Sequence, residues 1–144
     1  MLSCHQVADY FLSLQDEESG DLISNLKLQK LVYYAQGVAL AVKDSPLFPE
    51  PIYAWRHGPV VPELYHKFKA HGSNAIPNSG SFDLSILSTE DKEILDEVYD
   101  VYGQFSGWKL RNMTHQEPPW INAEKYELEI THESMKNYFK TRLN

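Results

Sequence analysis

Apolar residues return at helical spacing along most of this chain and depart from it in only two short places. Val7, Tyr10, Phe11 and Leu14 share one face behind Ser3 and Gln6, which have capping-box spacing, so a short first helix is expected. Leu28, Leu31, Val32, Ala35, Val38, Ala39 and Val42 predict a second helix from about Leu26 to Val42. Val61, Leu64, Tyr65 and Phe68 predict a third, to about Ala70 with Gly72 ending it. Ser88 with Asp91 starts a fourth, with Ile94, Leu95, Val98, Val101 and Tyr102 inward and Gly103 as its stop. Ser106 caps a fifth carrying Leu110 and Met113, and Ile130-Thr131 opens a last one carrying Met135, Tyr138 and Phe139. Ile52 to Trp55 is the credible strand; Phe82, Leu84 and Ile86 alternate and offer a short partner for it. Between these lie an acidic loop from Gln15 to Asp21 and a stiff connector through Pro46, Pro49 and Pro51. A mobile loop over 73–87 and a polar loop from Thr114 to Trp120 complete the chain. The expected fold is mainly α (α+β), a compact single domain over 1–144 with five to six helices and a small β element.

The segment from Trp55 to Tyr65 stands out. It reads as an extended piece that ends in a Gly-Pro turn and launches a helix. Gly58 can take backbone angles closed to other residues, and Pro59 pushes it out of the α region. Pro62 suits a first helical turn and Glu63 complements the positive helix start. Trp55, Arg56 and His57 are thus expected beside a stiff corner, which suits a recognition surface.

Composition narrows the function classes. The apolar fraction of 42% and charged fraction of 23% are those of a soluble globular protein. A net charge of −7 disfavours long-range attraction to nucleic acid or an anionic membrane and favours a basic protein partner. Cys4 is the lone cysteine, so neither an internal disulfide nor a cysteine-based zinc site is expected. No apolar run approaches the roughly 20 residues of a membrane span and no signal pattern opens the chain, so a cytoplasmic protein is expected.

Candidate chemistry is sparse. His115-Gln116-Glu117 has the His-x-Glu spacing of zinc deaminases but lacks their paired cysteines, which favours a structural loop over a metal site. The six histidines are scattered, and Cys4 reads more readily as a small buried apolar group than as a nucleophile. Lys27, Lys30, Lys43 and Arg56 could form a basic patch with Tyr33 and Tyr34 nearby; a solvated helix face that also meets a partner is the expectation. Of Trp55, Trp108 and Trp120, at least two are expected in the core. No glycine-rich phosphate loop is present.

Taken together, the run from Leu26 to Gly37, Pro46-Leu47-Phe48, the run from Ala54 to Tyr65, Leu87-Ser88, Tyr102-Gly103 and the run from Leu110 to Trp120 form an ordered set. The set resembles the Panacea domain, the SocA-like antitoxin family also described among phage-associated proteins, from about residue 4 to 140. That resemblance implies a protein encoded beside a toxin and blocking it by direct contact, with no cofactor and no catalytic residues. Lys27, Gln29 and Lys30 match its helical signature; Trp55, Arg56, Gly58, Pro59 and Tyr65 its central one; Thr114, His115 and Trp120 its C-terminal one. The expected mechanism is an acidic, aromatic-bearing surface that occludes the toxin, with nearly all of the chain taken up by this domain and none left for DNA binding. Two rivals are a phage or mobile-element hydrolase or nucleotide-modifying enzyme using His57, His115 and Glu117, and a DNA-binding regulator. The toxin's identity and the oligomeric state stay open.

Overall fold

A computed structural model of the chain describes every residue except Glu17, Ser79, Ser81 and Asn144. Its helices are α1 (Cys4–Ser13), α2 (Asn25–Lys43), α3 (Pro62–Phe68), α4 (Thr89–Tyr102), α5 (Gly107–Thr114), α6 (Pro118–Ile121) and α7 (His132–Arg142). Its strands are β1 (Ile52–Trp55), β2 (Gly58–Val60) and β3 (Glu129–Ile130). The mainly helical α+β architecture therefore matches the reading of the pattern, with the short α6 and a three-stranded sheet as additions.

The caps at Ser3, Ser88, Ser106 and Thr131 sit where the sequence marks them, and Ser24 adds one for the second helix. Ser3 makes both halves of a capping box with Gln6, and Ser24, Ser88, Ser106 and Thr131 each accept a backbone N–H from the first turn of their helices. Helix α2 extends one residue past the expected range at each end and runs through the middle of the molecule. Helices α1, α3, α4, α5 and α7 and strand β2 all pack against it. Residues 27–37 are consequently buried all round, including Lys27, Gln29, Lys30 and Gln36. A helix buried on every side lies at the centre of a core, where a one-sided stripe would mark a surface helix.

The sheet corrects the expected strand pairing. β1 turns back through Arg56-His57, and Gly58-Pro59-Val60 pairs antiparallel with it in the register Tyr53↔Val60 and Trp55↔Gly58. On its other side β1 pairs with β3 through Ile52↔Ile130. Leu84–Ile86 forms a 3-10 turn instead of a partner strand. The strand order β2-β1-β3 leaves β2 at an edge, where Pro59 loses no ladder hydrogen bond. The Gly-Pro corner is thus the return strand of a hairpin, and α3 follows it at Pro62.

Other differences are local. Pro118 and Pro119 open α6, because the first helical turn has no use for their missing N–H groups; the expected polar loop stops at Glu117. Val101 is 44% exposed although the helical spacing placed it inward. Ser79 and Ser81 of the expected 73–87 loop, and Glu17 of the expected acidic loop, lie outside the described residues.

Gly37 shows how tightly α7 closes on α2. A Cβ at Gly37 would stand 2.1 Å from the Phe139 ring, while Phe139 itself is buried against Tyr33 and Tyr34. Helix propensity alone favours alanine over glycine by about 1 kcal/mol. Overpacking costs about 1–3 kcal/mol and wins here. Gly37→Ala is therefore expected to lower the urea midpoint, and a raised midpoint would contradict this packing.

Candidate functional site

The hairpin is fixed to α2 by polar side chains that the core encloses. Gln29 Oε1 accepts the Val61 N–H at 2.9 Å, and Gln29 Nε2 donates to Asn25 Oδ1 at 2.9 Å. Lys30 is fully buried and its Nζ donates to the Pro59 carbonyl at 3.2 Å. Gly58 has φ +105, and a Cβ there would fall 2.5 Å from Lys30 Cε and 2.8 Å from Thr114 Oγ1. Only glycine meets both demands. Thr114 is buried at the end of α5 and donates to the Arg111 carbonyl at 2.7 Å. From α6, Trp120 Nε1 donates to the Trp55 carbonyl at 2.8 Å, and its ring stacks on His115 at 3.9 Å. Lys27 donates to the Gly103 carbonyl at 2.6 Å, tying α2 to the turn between α4 and α5.

Lys27 and Lys30 therefore overturn the expected solvated basic face. Each ammonium is drawn inward by a backbone carbonyl, and Tyr33 and Tyr34 beside them are buried too. Lys43 is half-buried and pairs with Asp91 at 2.7 Å. Burial, with Arg111 as a nearby like charge, lowers the Lys30 pKa from 10.5 to about 7.

What the bracing leaves outward is a cavity of about 600 Å³ between α2, the hairpin tip, α3 and α5. Trp55, Arg56, His57, Tyr65, Lys69 and Trp108 line much of it. Trp55 meets Tyr65 edge-to-face at 5.3 Å. Arg111 Nε donates to His57 Nδ1 at 3.2 Å, and its guanidinium lies over Trp108 at 4.8 Å. Trp108 is 55% exposed and Arg56 is exposed, with no acidic side chain among the described residues paired to it. None of the three tryptophans is fully buried, against the expectation for at least two; Trp55 and Trp120 are half-buried. The cavity's ionic side chains at its rim are Arg56 and Lys69 against Glu127, so this face is aromatic and carries more basic than acidic groups. Trp108 and Arg111 were missed as site residues; their i,i+3 spacing directly after the Ser106 cap is the signal that places both on one face.

The proposed catalytic trio is divided. His57 and His115 both sit near the Arg111 guanidinium; burial first and that charge second hold both imidazoles below their ordinary pKa. Glu117 instead accepts the Tyr33 and Tyr34 hydroxyls, at 2.9 and 2.8 Å, in the core. Burial raises its pKa, and the two tyrosine donors offset part of that rise.

A helical scaffold that lashes a hairpin to its central helix and leaves aromatic and cationic groups at the tip is the class this geometry defines. The family model described as "Antitoxin SocA-like, Panacea domain" matches residues 28–121, from the second turn of α2 to the end of α6. The chain is also 33% identical over 109 residues to Antitoxin SocA of Caulobacter vibrioides (strain NA1000 / CB15N), covering 68% of this chain. It spans 58% of that curated relative's length. No solved structure matches the chain. This chain belongs to the SocA-like antitoxin family with the Panacea domain.

Lys30 supplies a pH test of the brace. Its folded pKa lies below its unfolded one, so between about pH 7 and 10.5 the unfolded chain holds the extra proton and stability rises with pH. Urea unfolding should show the wild type gaining about 2 kcal/mol more than Lys30→Met from pH 7 to pH 9. Parallel pH dependence in the two proteins would contradict the buried ammonium.

Proposed function

We propose that this chain is a cytoplasmic, single-domain antitoxin that silences a cognate toxin protein by direct contact, with the groove beside the hairpin tip as the contact face. The observation that carries this reading is the division among the family-signature residues. Gln29, Lys30, Gly58, Pro59 and Thr114 are buried where the hairpin meets α2 and α5, and Lys27 is buried against Gly103, whereas Arg56 at the hairpin tip and Tyr65 on α3 face solvent. A braced tip loses little conformational freedom on binding, and exposed Trp, Tyr and Arg are the residue types that dominate interface energetics. A standard interface takes about 800 Å² from each partner, roughly a tenth of this chain's 7673 Å².

The net charge of −7 and the cationic rim act at different ranges. The first steers encounter with a basic partner, while within about 8 Å the local charges decide. Arg56 and Lys69 then favour an apolar segment of the toxin that carries a carboxylate. The catalytic rival is weakened by Glu117, whose carboxylate serves two tyrosines in the core. The DNA-binding rival is weakened by the overall charge.

The test uses the toxin encoded beside this gene. Arg56→Ala and Tyr65→Ala should keep the native circular dichroism spectrum, weaken toxin binding in calorimetry at least about tenfold, and fail to protect cells co-expressing the toxin. Undiminished binding by both folded variants would reject the groove as the contact face.

A further inference from the structure

A second cluster lies away from the groove, where the start of α1 meets the start of α3 and the proline-rich connector. Cys4 is fully buried, and its Sγ lies 3.5 Å from Glu63 Oε2. His5 Nε2 lies 2.8 Å from that same oxygen. The three ligand atoms are all within 4.8 Å of one another. Glu50 reaches in from the connector, its Oε1 accepting the Cys4 N–H at 2.8 Å. We propose that Cys4, His5 and Glu63 form a binding site for a zinc-type divalent cation, with the Glu50 carboxylate beside it.

The donor set decides the class of ion. One sulfur, one imidazole nitrogen and one carboxylate oxygen suit borderline-soft zinc, whereas magnesium and calcium require oxygen throughout. Ligands about 2.0–2.3 Å from a tetrahedral ion stand about 3.5 Å apart, the separation Cys4 and Glu63 already have. His5 and Glu63 must part by a few tenths of an ångström, and the Cys4–His5 pair, within 4.8 Å, must settle to the same spacing; His5 and Glu63, with 36% and 56% of their side chains exposed, are free to adjust. Two carboxylates surround the thiol, and among the described residues no lysine or arginine pairs with either. A cation therefore relieves an excess of negative charge. Binding replaces the Cys4 S–H bond with a sulfur–metal bond and the His5 Nε2–H bond with a nitrogen–metal bond; the thiol proton leaves to solvent and the imidazole keeps one proton on Nδ1. His5 and Glu63 form the solvent side, by which the ion enters.

The sequence argued against a cysteine-based site because it counts one cysteine; one is enough when a histidine and a carboxylate supply the rest. His5 Nε2 faces the Glu63 carboxylate, and once the ion takes Nε2 the ring proton sits on Nδ1, which is buried without a hydrogen-bond partner, so the site binds less tightly than one whose imidazole is held by an outer acceptor. Cys4 and His5 lie outside the 28–121 family match, and Glu63 lies within it. A bound ion would join α1 to α3, the helix that carries Tyr65.

The experiment titrates the full, untagged chain with Co²⁺ and then Zn²⁺, following thiolate-to-cobalt charge-transfer absorbance and thermal unfolding. The expected result is one Co²⁺ per chain with a thiolate band, displaced by Zn²⁺, and a rise in melting temperature with Zn²⁺. Cys4→Ser should abolish the band. His5→Ala and Glu63→Gln, at partly exposed positions and checked for fold by circular dichroism, should each weaken zinc binding by more than the about tenfold lost with an outer hydrogen-bond partner. No thiolate band at saturating Co²⁺, or a band and affinity unchanged in folded His5→Ala and Glu63→Gln, would overturn the site.

Discussion

The arrangement of this protein depends on buried polar side chains of one helix holding the backbone of a hairpin. A segment as short as β1–β2 buries too little of itself to be stable in isolation. Gln29 and Lys30 supply what its ladder lacks, one accepting the Val61 N–H and the other donating to the Pro59 carbonyl. These bonds are made where water is excluded, so breaking either leaves an unsatisfied group at a cost of about 1–3 kcal/mol. Gly58 is the counterpart on the hairpin. It has both the backbone angle and the empty side-chain space that let Lys30 and Thr114 approach.

On the proposed reading, that brace separates two jobs that the signature residues run together in sequence. The inward residues hold the tip in one conformation; Arg56, His57 and the neighbouring aromatics are what the tip offers. Trp120 and Arg111 reach the tip from α6 and α5, the former through the Trp55 carbonyl and the latter through His57. The hairpin is thus gripped by helices remote in sequence. Membership of the SocA-like antitoxin family fits a molecule with a fixed surface whose deepest carboxylate, Glu117, is occupied by tyrosines.

The sequence made the helices legible because their signals are local. Serine or threonine caps, a long 3.6-residue period in α2 and glycine stops require no knowledge of the rest of the fold. The sheet was harder to read because β2 is three residues of Gly-Pro-Val and β3 only two, too short for alternation to show. Pro118-Pro119 looked like a loop because a helix start and a loop share that composition. Lys27 and Lys30 were misread for a physical reason. Lysine is almost never buried unless paired; the hydrogen bonds go to carbonyls 76 and 29 positions away, which no local pattern shows, and Lys27 also lies 3.8 Å from the Asp21 carboxylate, whose loop turns back toward α2. Trp55, Arg56 and Tyr65 were legible as candidates because the corner beside them was; Trp108 and Arg111 join them only once α5 folds against the hairpin.

Amide hydrogen exchange on the chain alone and with its toxin tests most directly whether the tip is built before the partner arrives. The account requires the Val61 N–H and the β1–β2 amides to be protected in the free chain to nearly the level of α2, with toxin adding protection around Arg56, His57 and Trp108. Rapid exchange across the hairpin in the free chain, slowed only when toxin is added, would mean that the partner folds the tip and that the brace does not.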